Sequence, residues 1–167
     1  IAIVEDAESG LPADAIPTLK VLVATLAHLG AEIGELDAEI ERRAKTNEVA
    51  RRLMTVPGIG PLIATAIAVL APPPETFRKA RDFAAWLGLT PRQHSTGGKQ
   101  RLGATTRMGE RSLRRLLIIG ANSVVIKSHV HASARPGIWL GGMLTRKPPM
   151  LVRVALANKM ARPQPLT

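Results

Sequence analysis

The segment from Arg92 to Arg101 contains the residue types that could act on a phosphate. Two adjacent hydroxyl residues, Ser95 and Thr96, precede a Gly97-Gly98 pair that allows a sharp turn. The cations available beside them are Arg92, Lys99 and Arg101. A Ser that attacks a phosphodiester needs such cations where negative charge develops. The residues alone favour a phosphate-binding hairpin and leave a catalytic Ser95 open.

Two other chemistries are disfavoured in this segment. A nucleotide-binding phosphate loop needs Gly five positions before Gly98 and Ser or Thr directly after Lys99, but the chain has Gln93 and Gln100 there. His94 is a poor base for the Ser that follows it, because neighbouring side chains in an extended segment point to opposite faces.

A second candidate phosphate site is the stretch Val-Pro-Gly-Ile-Gly-Pro at positions 56–61. With its flanking apolar residues it resembles the helix-hairpin-helix motif of DNA repair and recombination proteins. The glycines permit a tight turn, and exposed amides at the start of the following helix can hold a phosphate oxygen. We assign this cradle to Pro57, Gly58, Ile59 and Gly60. The alternative is a tight turn between two helices that binds nothing.

A third candidate is a set of arginines before and within a predicted helix from Glu110 to Lys127. Its members are Arg107, Arg111, Arg114 and Arg115. They can form a track for nucleic-acid phosphates, or simply a solvated charged face.

Composition excludes several mechanisms. Among the 167 residues there is no Cys and no Tyr, so thiolate chemistry, Cys-ligated zinc and phosphotyrosine intermediates are excluded. Four scattered His and the few acids after residue 41 suggest neither a bound metal nor a two-metal nuclease site. Residues 1–41 hold nine acids and one base, a net charge of −8, whereas residues 42–167 carry +18. The basic part is therefore expected to bind DNA or RNA.

The hydrophobic pattern predicts a mainly α fold. Apolar residues alternate at spacings of three and four from Leu19 to Ile40, which is typical of a coiled coil and favours self-association about as strongly as packing within the chain. We expect a lead-in at 1–18, a coiled-coil helix at 19–46, a compact helical domain at 47–162 and a tail at 163–167. Within that domain we expect the helix-hairpin-helix and a short Gly-rich β-hairpin or loop, with strands around 93–95 and 99–102. The apolar runs at 62–71 and 116–120 are too short to span a bilayer, and no signal peptide is evident, so we expect a cytoplasmic protein with no membrane partner.

Four stretches together resemble a known family. They are VPGIGPLIATAIA, FRKARDFAAWLGLTPRQHSTGGKQRLG, RMGERSLRRLLIIGA and RKPPMLVRVALANKMAR. Over about residues 10–162 the chain is similar to the C-terminal transposase domain of the bacterial insertion-sequence family numbered one-ten.

The resemblance implies DNA recombination by a bacterial, nucleoid-associated transposase guided by a bridge RNA. It places the family's Ser nucleophile at Ser95 and equates the 19–46 helix with a coiled coil that joins subunits. It also implies that Mg²⁺ is bound by an N-terminal RuvC-like domain, which these residues lack, so no cofactor is expected on this chain itself.

Two stretches depart from the family pattern. Positions 104–107 read Ala-Thr-Thr-Arg instead of Arg-Ile-Ser-Lys, and Pro163 ends a helix that normally continues. We therefore expect a transposase fragment that is inactive alone. The alternatives are a non-catalytic helix-hairpin-helix module that binds nucleic acid and a decayed remnant.

Overall fold

The prediction of a mainly helical chain is confirmed. The computed structural model describes residues 10–94, 97–99, 101–130 and 138–162. These residues form seven α-helices, one short 3-10 turn at Pro74–Thr76 and one two-stranded sheet. In chain order the elements are α1 Ile16–Thr46, α2 Glu48–Leu53, α3 Pro61–Leu70, α4 Ala80–Trp86, β1 Pro91–Gln93, β2 Leu102–Thr105, α5 Arg111–Val130, α6 Ile138–Leu144 and α7 Pro149–Met160. The chain divides between Arg42 and Arg43 into two compact units.

Helix α1 forms most of the first unit. It begins at Ile16, three residues before the predicted Leu19, because Pro17 falls in the first helical turn, where its missing N–H has no intrahelical partner to lose. The apolar seam faces solvent: its side chains at positions 22, 26, 29, 33 and 36 are between 50% and 68% exposed. Self-association through this seam remains a prediction.

Length and composition alone would also allow α1 to cross a membrane. Core helices of soluble proteins and signal sequences share this length and composition. Lys20, His28 and Glu32 lie within the apolar stretch, and apolar residues at a period of 3.5 are typical of a helix that packs on another helix in water.

The second unit is built around α5. Its inward face carries Leu113, Leu117 and Ala121, which are fully buried. The flanking helices α3 and α7 pack on this face. The same core takes up Ala44 from the last turn of α1.

The two strands lie further from the glycine pair than the sequence predicted. Strands β1 and β2 pair antiparallel, with Pro91 opposite Thr105 and Gln93 opposite Leu102. They start two and three residues away from the positions expected, 93 and 99. The cause is additional backbone pairing at the base of the strands, where the Thr106 N–H donates to the Thr90 carbonyl.

Helix α6 was not predicted from the sequence. Gly141 and Gly142 weaken the helical signal, since each Gly costs about 1 kcal/mol in a helix interior. Tertiary packing overrides this preference, because Leu140 joins Val125 and Val152 in a small second core.

Candidate functional site

Backbone pairing fixes the base of the β1–β2 sheet. The Arg107 N–H donates to the Gly88 carbonyl at 3.2 Å, and the Thr106 N–H donates to the Thr90 carbonyl at 2.9 Å. Arg107 adopts a φ of +56°, which is uncommon for a residue other than Gly. The approach is close enough that a Cβ on Gly109 would lie 1.7 Å from the Trp86 carbonyl oxygen.

Two side chains from distant helices complete this base. Arg114 of α5 donates from Nη1 to the Leu87 carbonyl at 3.0 Å and to the Met108 carbonyl at 3.3 Å. Asn158 of α7 donates from Nδ2 to the Leu89 carbonyl at 2.8 Å. Together with the backbone pairs, these contacts supply a donor to each of four consecutive carbonyls, 87–90. We call these four carbonyls and their donors the hairpin base.

The predicted cations lie at the surface, on β1 or close to the strands in the chain. Arg92, Lys99 and Arg101 are all exposed. Pairing continues beyond β1, since the His94 N–H donates to the Arg101 carbonyl at 2.8 Å. The His94 ring lies over Gly103, where a Cβ would be 2.8 Å from two ring atoms.

The glycine pair lies in a turn. Gly97 and Gly98 have φ values of +58° and +79°, a region that favours Gly. Both are exposed and have open space around their Cα atoms. Ser95 and Thr96, the predicted nucleophile and its neighbour, lie outside the described residues. On their N-terminal side the described chain ends at His94, which directly follows β1.

Four residues of the turn between α2 and α3 are predicted to bind phosphate. Two of them pack against the protein, and the other two have open surroundings. Gly58, with a φ of +91°, faces α5: a Cβ there would lie 2.8 Å from the Gly120 carbonyl oxygen. Ile59 is buried, with 4% of its surface exposed, and its N–H donates to the Val56 carbonyl at 3.0 Å. Pro57 is exposed, and the Cα of Gly60 at the start of α3 has open space. The amides at the start of α3 thus remain the predicted cradle.

The four arginines predicted to form one track differ in their surroundings. Arg111 and Arg115 are exposed and lie one turn apart on the same side of α5. Arg107 is also exposed but precedes the helix. Arg114 is half-buried and donates to the hairpin base. Arg111 and Arg115 are therefore the better candidates for a phosphate contact, and Arg114 has a structural task that the sequence did not reveal.

The described part of the chain does not bring together the ligands that a metal ion needs. No group of three or more His, Asp or Glu lies close enough together to hold an ion there. Beyond position 41 only four acids occur, namely Glu48, Glu75, Asp82 and Glu110. The described residues thus do not fit a magnesium site.

Asn158 is the residue that sequence reasoning missed. It lies on α7. A polar residue among apolar ones on that helix was the available signal, because buried amides need hydrogen-bond partners. Its partner at Leu89 could not be read from the sequence, since the two positions are 69 residues apart.

Comparison with known proteins gives consistent matches. Residues 50–135 match the model of the Transposase IS116/IS110/IS902 family. This range runs from α2 to α5 and beyond it, and includes both strands and the segment of Ser95.

Individual relatives carry transposase names. A protein named "Probable family 20 transposase" from Pseudomonas aeruginosa is 47% identical over 152 residues, which are 91% of this chain and 45% of that protein. The transposase for insertion sequence element IS1328 of Yersinia enterocolitica is 37% identical, over 93% of this chain and 46% of its own. The transposase for insertion sequence element IS1111A of Coxiella burnetii is 34% identical, over 86% and 39%. The chain therefore spans less than half the length of these relatives.

Proposed function

The chain belongs to the Transposase IS116/IS110/IS902 family, and on that premise we propose that it is the part of a DNA transposase that holds the target DNA and supplies the Ser95 nucleophile. The family match carries the proposal, because it covers the Ser95 segment together with both strands and α5. The relatives' names support transposition as the process. Ser95 as the reacting group and DNA as the ligand are our inference for this chain.

The reaction is a transfer of a phosphodiester to Ser95. The Ser95 hydroxyl oxygen forms a bond to phosphorus, and the bond from phosphorus to one deoxyribose oxygen breaks. The proton lost by Ser95 is balanced by one gained on the leaving sugar oxygen. The resulting phosphoserine ester holds the DNA end until a second DNA hydroxyl attacks it, which restores Ser95 and joins the strands.

The surroundings support this role through charge and shape. Arg92, Lys99 and Arg101 are exposed on and near the two strands, where they can contact the phosphate and its neighbours. The hairpin base fixes β1, the strand that precedes Ser95 in the chain, and precise positioning of reacting groups lowers the entropic part of a reaction barrier. Arg111 and Arg115 add positive charge at the start of α5.

A Mg²⁺ ion, when bound by a RuvC-like domain, supplies stabilisation of negative charge on the phosphate and the leaving oxygen. The described residues of this chain do not fit such an ion, so no step is assigned to it here. We propose that the ion is held by residues beyond those described or by another polypeptide, and that a bridge RNA selects the DNA.

The second candidate is a nucleic-acid-binding module without chemistry. The turn between α2 and α3 favours it, since the space beside Gly60 is open and the start of a helix can hold a phosphate without any nucleophile. In that case the chain binds DNA through Gly60, Arg111 and Arg115, and Ser95 forms no bond.

Covalent trapping separates the two candidates. The chain is mixed with a separately expressed RuvC-like domain of a close relative, its bridge RNA, Mg²⁺ and end-labelled target DNA, then denatured and run on a gel. We expect a labelled adduct that disappears with Ser95→Ala and persists with the neighbouring Thr96→Ala. Absence of an adduct, when an intact relative reacts in parallel, would refute the catalytic proposal and leave the binding module.

A further inference from the structure

Asn158 is a polar side chain buried in an otherwise apolar helix face. Only 6% of its surface is exposed, whereas its neighbours Val152, Ala157 and Met160 belong to the apolar core. A buried amide destabilises the fold unless its donors and acceptors find partners. The Asn158 amide has one partner for its nitrogen and one for its oxygen, so only one orientation of the amide satisfies both.

The orientation of the amide is set by Arg162. The Arg162 guanidinium donates to Oδ1 of Asn158, so the oxygen faces Arg162 and the Nδ2 group faces the other way. Nδ2 then donates to the Leu89 carbonyl at 2.8 Å. A cation on the oxygen side strengthens the donor on the nitrogen side. Helix α7 is in this way connected to the hairpin base by a directed hydrogen bond.

Leu89 is the point from which β1 departs. Its side chain is buried, at 2% exposure, and β1 begins two residues later at Pro91. Four residues of extended chain from Leu89 to Gln93 cover about 13 Å, so a rotation of about 10° at Leu89 displaces Gln93 by about 2 Å. A misplacement of about 1 Å can reduce a reaction rate about a hundredfold. Small changes at Leu89 therefore matter for the residues that follow β1.

We propose that Asn158 is a positioning residue for the Ser95 segment: it holds the Leu89 carbonyl and thereby sets the direction in which β1 leaves the core. The inference rests on the proposed role of Ser95 for its functional consequence. The effect on the direction of β1 is independent of that role, because the hydrogen bond to Leu89 orients the strand whether or not Ser95 reacts.

The effect of Asn158 on the direction of β1 can be measured separately from its effect on helix packing. Helices α5 and α7 pack on each other, with Leu117 and Ala157 in one buried core and Val125 and Val152 in the other. Removing the Asn158 amide leaves those contacts in place. A purely structural residue would affect the stability of the whole unit, whereas a positioning residue affects the strand more than the helices.

The test uses pairs of spin labels on the whole chain. Because the chain has no Cys, Gln93→Cys and Ser123→Cys give one label on β1 and one on α5, both at exposed positions. A second pair, at Thr55 in the α2–α3 turn and Ser123 on α5, reports on a part of the same unit away from the strands. Pulsed electron paramagnetic resonance then gives the distribution of distances for each pair.

Two substitutions of Asn158 are compared with a control. Asn158→Leu removes the donor, and Asn158→Asp keeps the shape and the Arg162 contact but places an acceptor against the Leu89 carbonyl. The control is Lys159→Gln, at the exposed neighbouring position. We expect both Asn158 variants to shift or broaden the distribution from Gln93 to Ser123 by about 2 Å and to leave the distribution from Thr55 to Ser123 unchanged. Unchanged distributions in both pairs would overturn the proposal, and so would equal broadening of both pairs in either Asn158 variant.

The covalent trapping assay adds the functional readout. Unlabelled Asn158→Asp is expected to form the adduct about tenfold to a hundredfold more slowly than wild type, with DNA affinity within twofold. An adduct rate equal to wild type, with β1 displaced, would overturn the role in catalysis. If the wild-type chain forms no adduct, the proposed function fails, and the spin-label distances still decide whether Asn158 directs β1.

Discussion

The α2–α3 turn approaches α5 closely at Gly120, whereas Gly142 on α6 has room beside it. Replacing each glycine by Ala should therefore change the free energy of unfolding differently. At Gly120 a Cβ would lie 2.2 Å from the Gly58 carbonyl oxygen and 2.8 Å from Cδ1 of Ile63. At Gly142 of α6 a Cβ would meet only Nη2 of Arg146, at an ordinary 3.6 Å. The same change to Ala is therefore expected to destabilise the protein at one position and not at the other.

The magnitude follows from two opposing effects. Ala in a helix interior is favoured over Gly by about 1 kcal/mol. At position 120 the methyl group must displace a backbone carbonyl by more than an ångström, and overpacking of this kind costs about 3 kcal/mol at the upper end of its range. Gly120→Ala should thus lower the free energy of unfolding by about 2 kcal/mol, whereas Gly142→Ala should leave it unchanged or raise it by up to about 1 kcal/mol.

Urea unfolding followed by helical circular dichroism measures both variants. Each curve is fitted for the free energy of unfolding and its urea dependence, provided that the transition is cooperative. If Gly120→Ala is as stable as wild type, the contact between Gly58 and α5 does not exist as described. Equal destabilisation by Gly142→Ala would indicate that the effect is not specific to that contact.

Three further predictions concern charge and the apolar seam. The affinity for DNA should fall steeply with salt, and Arg115→Gln should reduce the slope of log K against log salt by about 1; a flat salt profile in a filter-binding titration would refute a phosphate interface. Arg114→Gln should instead lower the free energy of unfolding by about 1–3 kcal/mol, since two carbonyls lose a charged donor, and chemical denaturation that shows no loss would contradict its structural role. Leu29→Glu should abolish self-association in sedimentation equilibrium while Ala24→Glu, off the seam, should not; a wild-type chain that is monomeric at all concentrations would disprove the coiled coil.

The helices were predictable because their patterns are local. Pro61 at the start of α3 and the inward face of α5 follow from periodicity and from the preference of Pro for the first turn. Helix α6 was missed because two glycines conceal it, and it is stabilised by packing against distant elements, as where Leu140 meets Val125 and Val152. Long-range packing of this kind leaves no periodic signal in the sequence.

The candidate site was predictable in composition but not in geometry. Hydroxyls, glycines and cations around position 95 can be seen directly in the sequence. Their support cannot, because the hairpin base brings together residues 87–90, 106–107, 114 and 158. Similarly, the sequence counts Gly58 among phosphate-binding residues, whereas the structure packs it against α5. A test of the cradle is therefore better made at Gly60, where a side chain meets open space.

The reactivity of Ser95 is the most direct test of the account. With the RuvC-like domain of a relative, its bridge RNA, Mg²⁺ and labelled DNA, we predict an adduct that survives denaturation and that mass spectrometry of the digested chain locates on Ser95. The adduct should be lost with Ser95→Ala and kept with Thr96→Ala. An adduct on another residue, or none while an intact relative reacts, would contradict the proposal that this chain supplies the nucleophile.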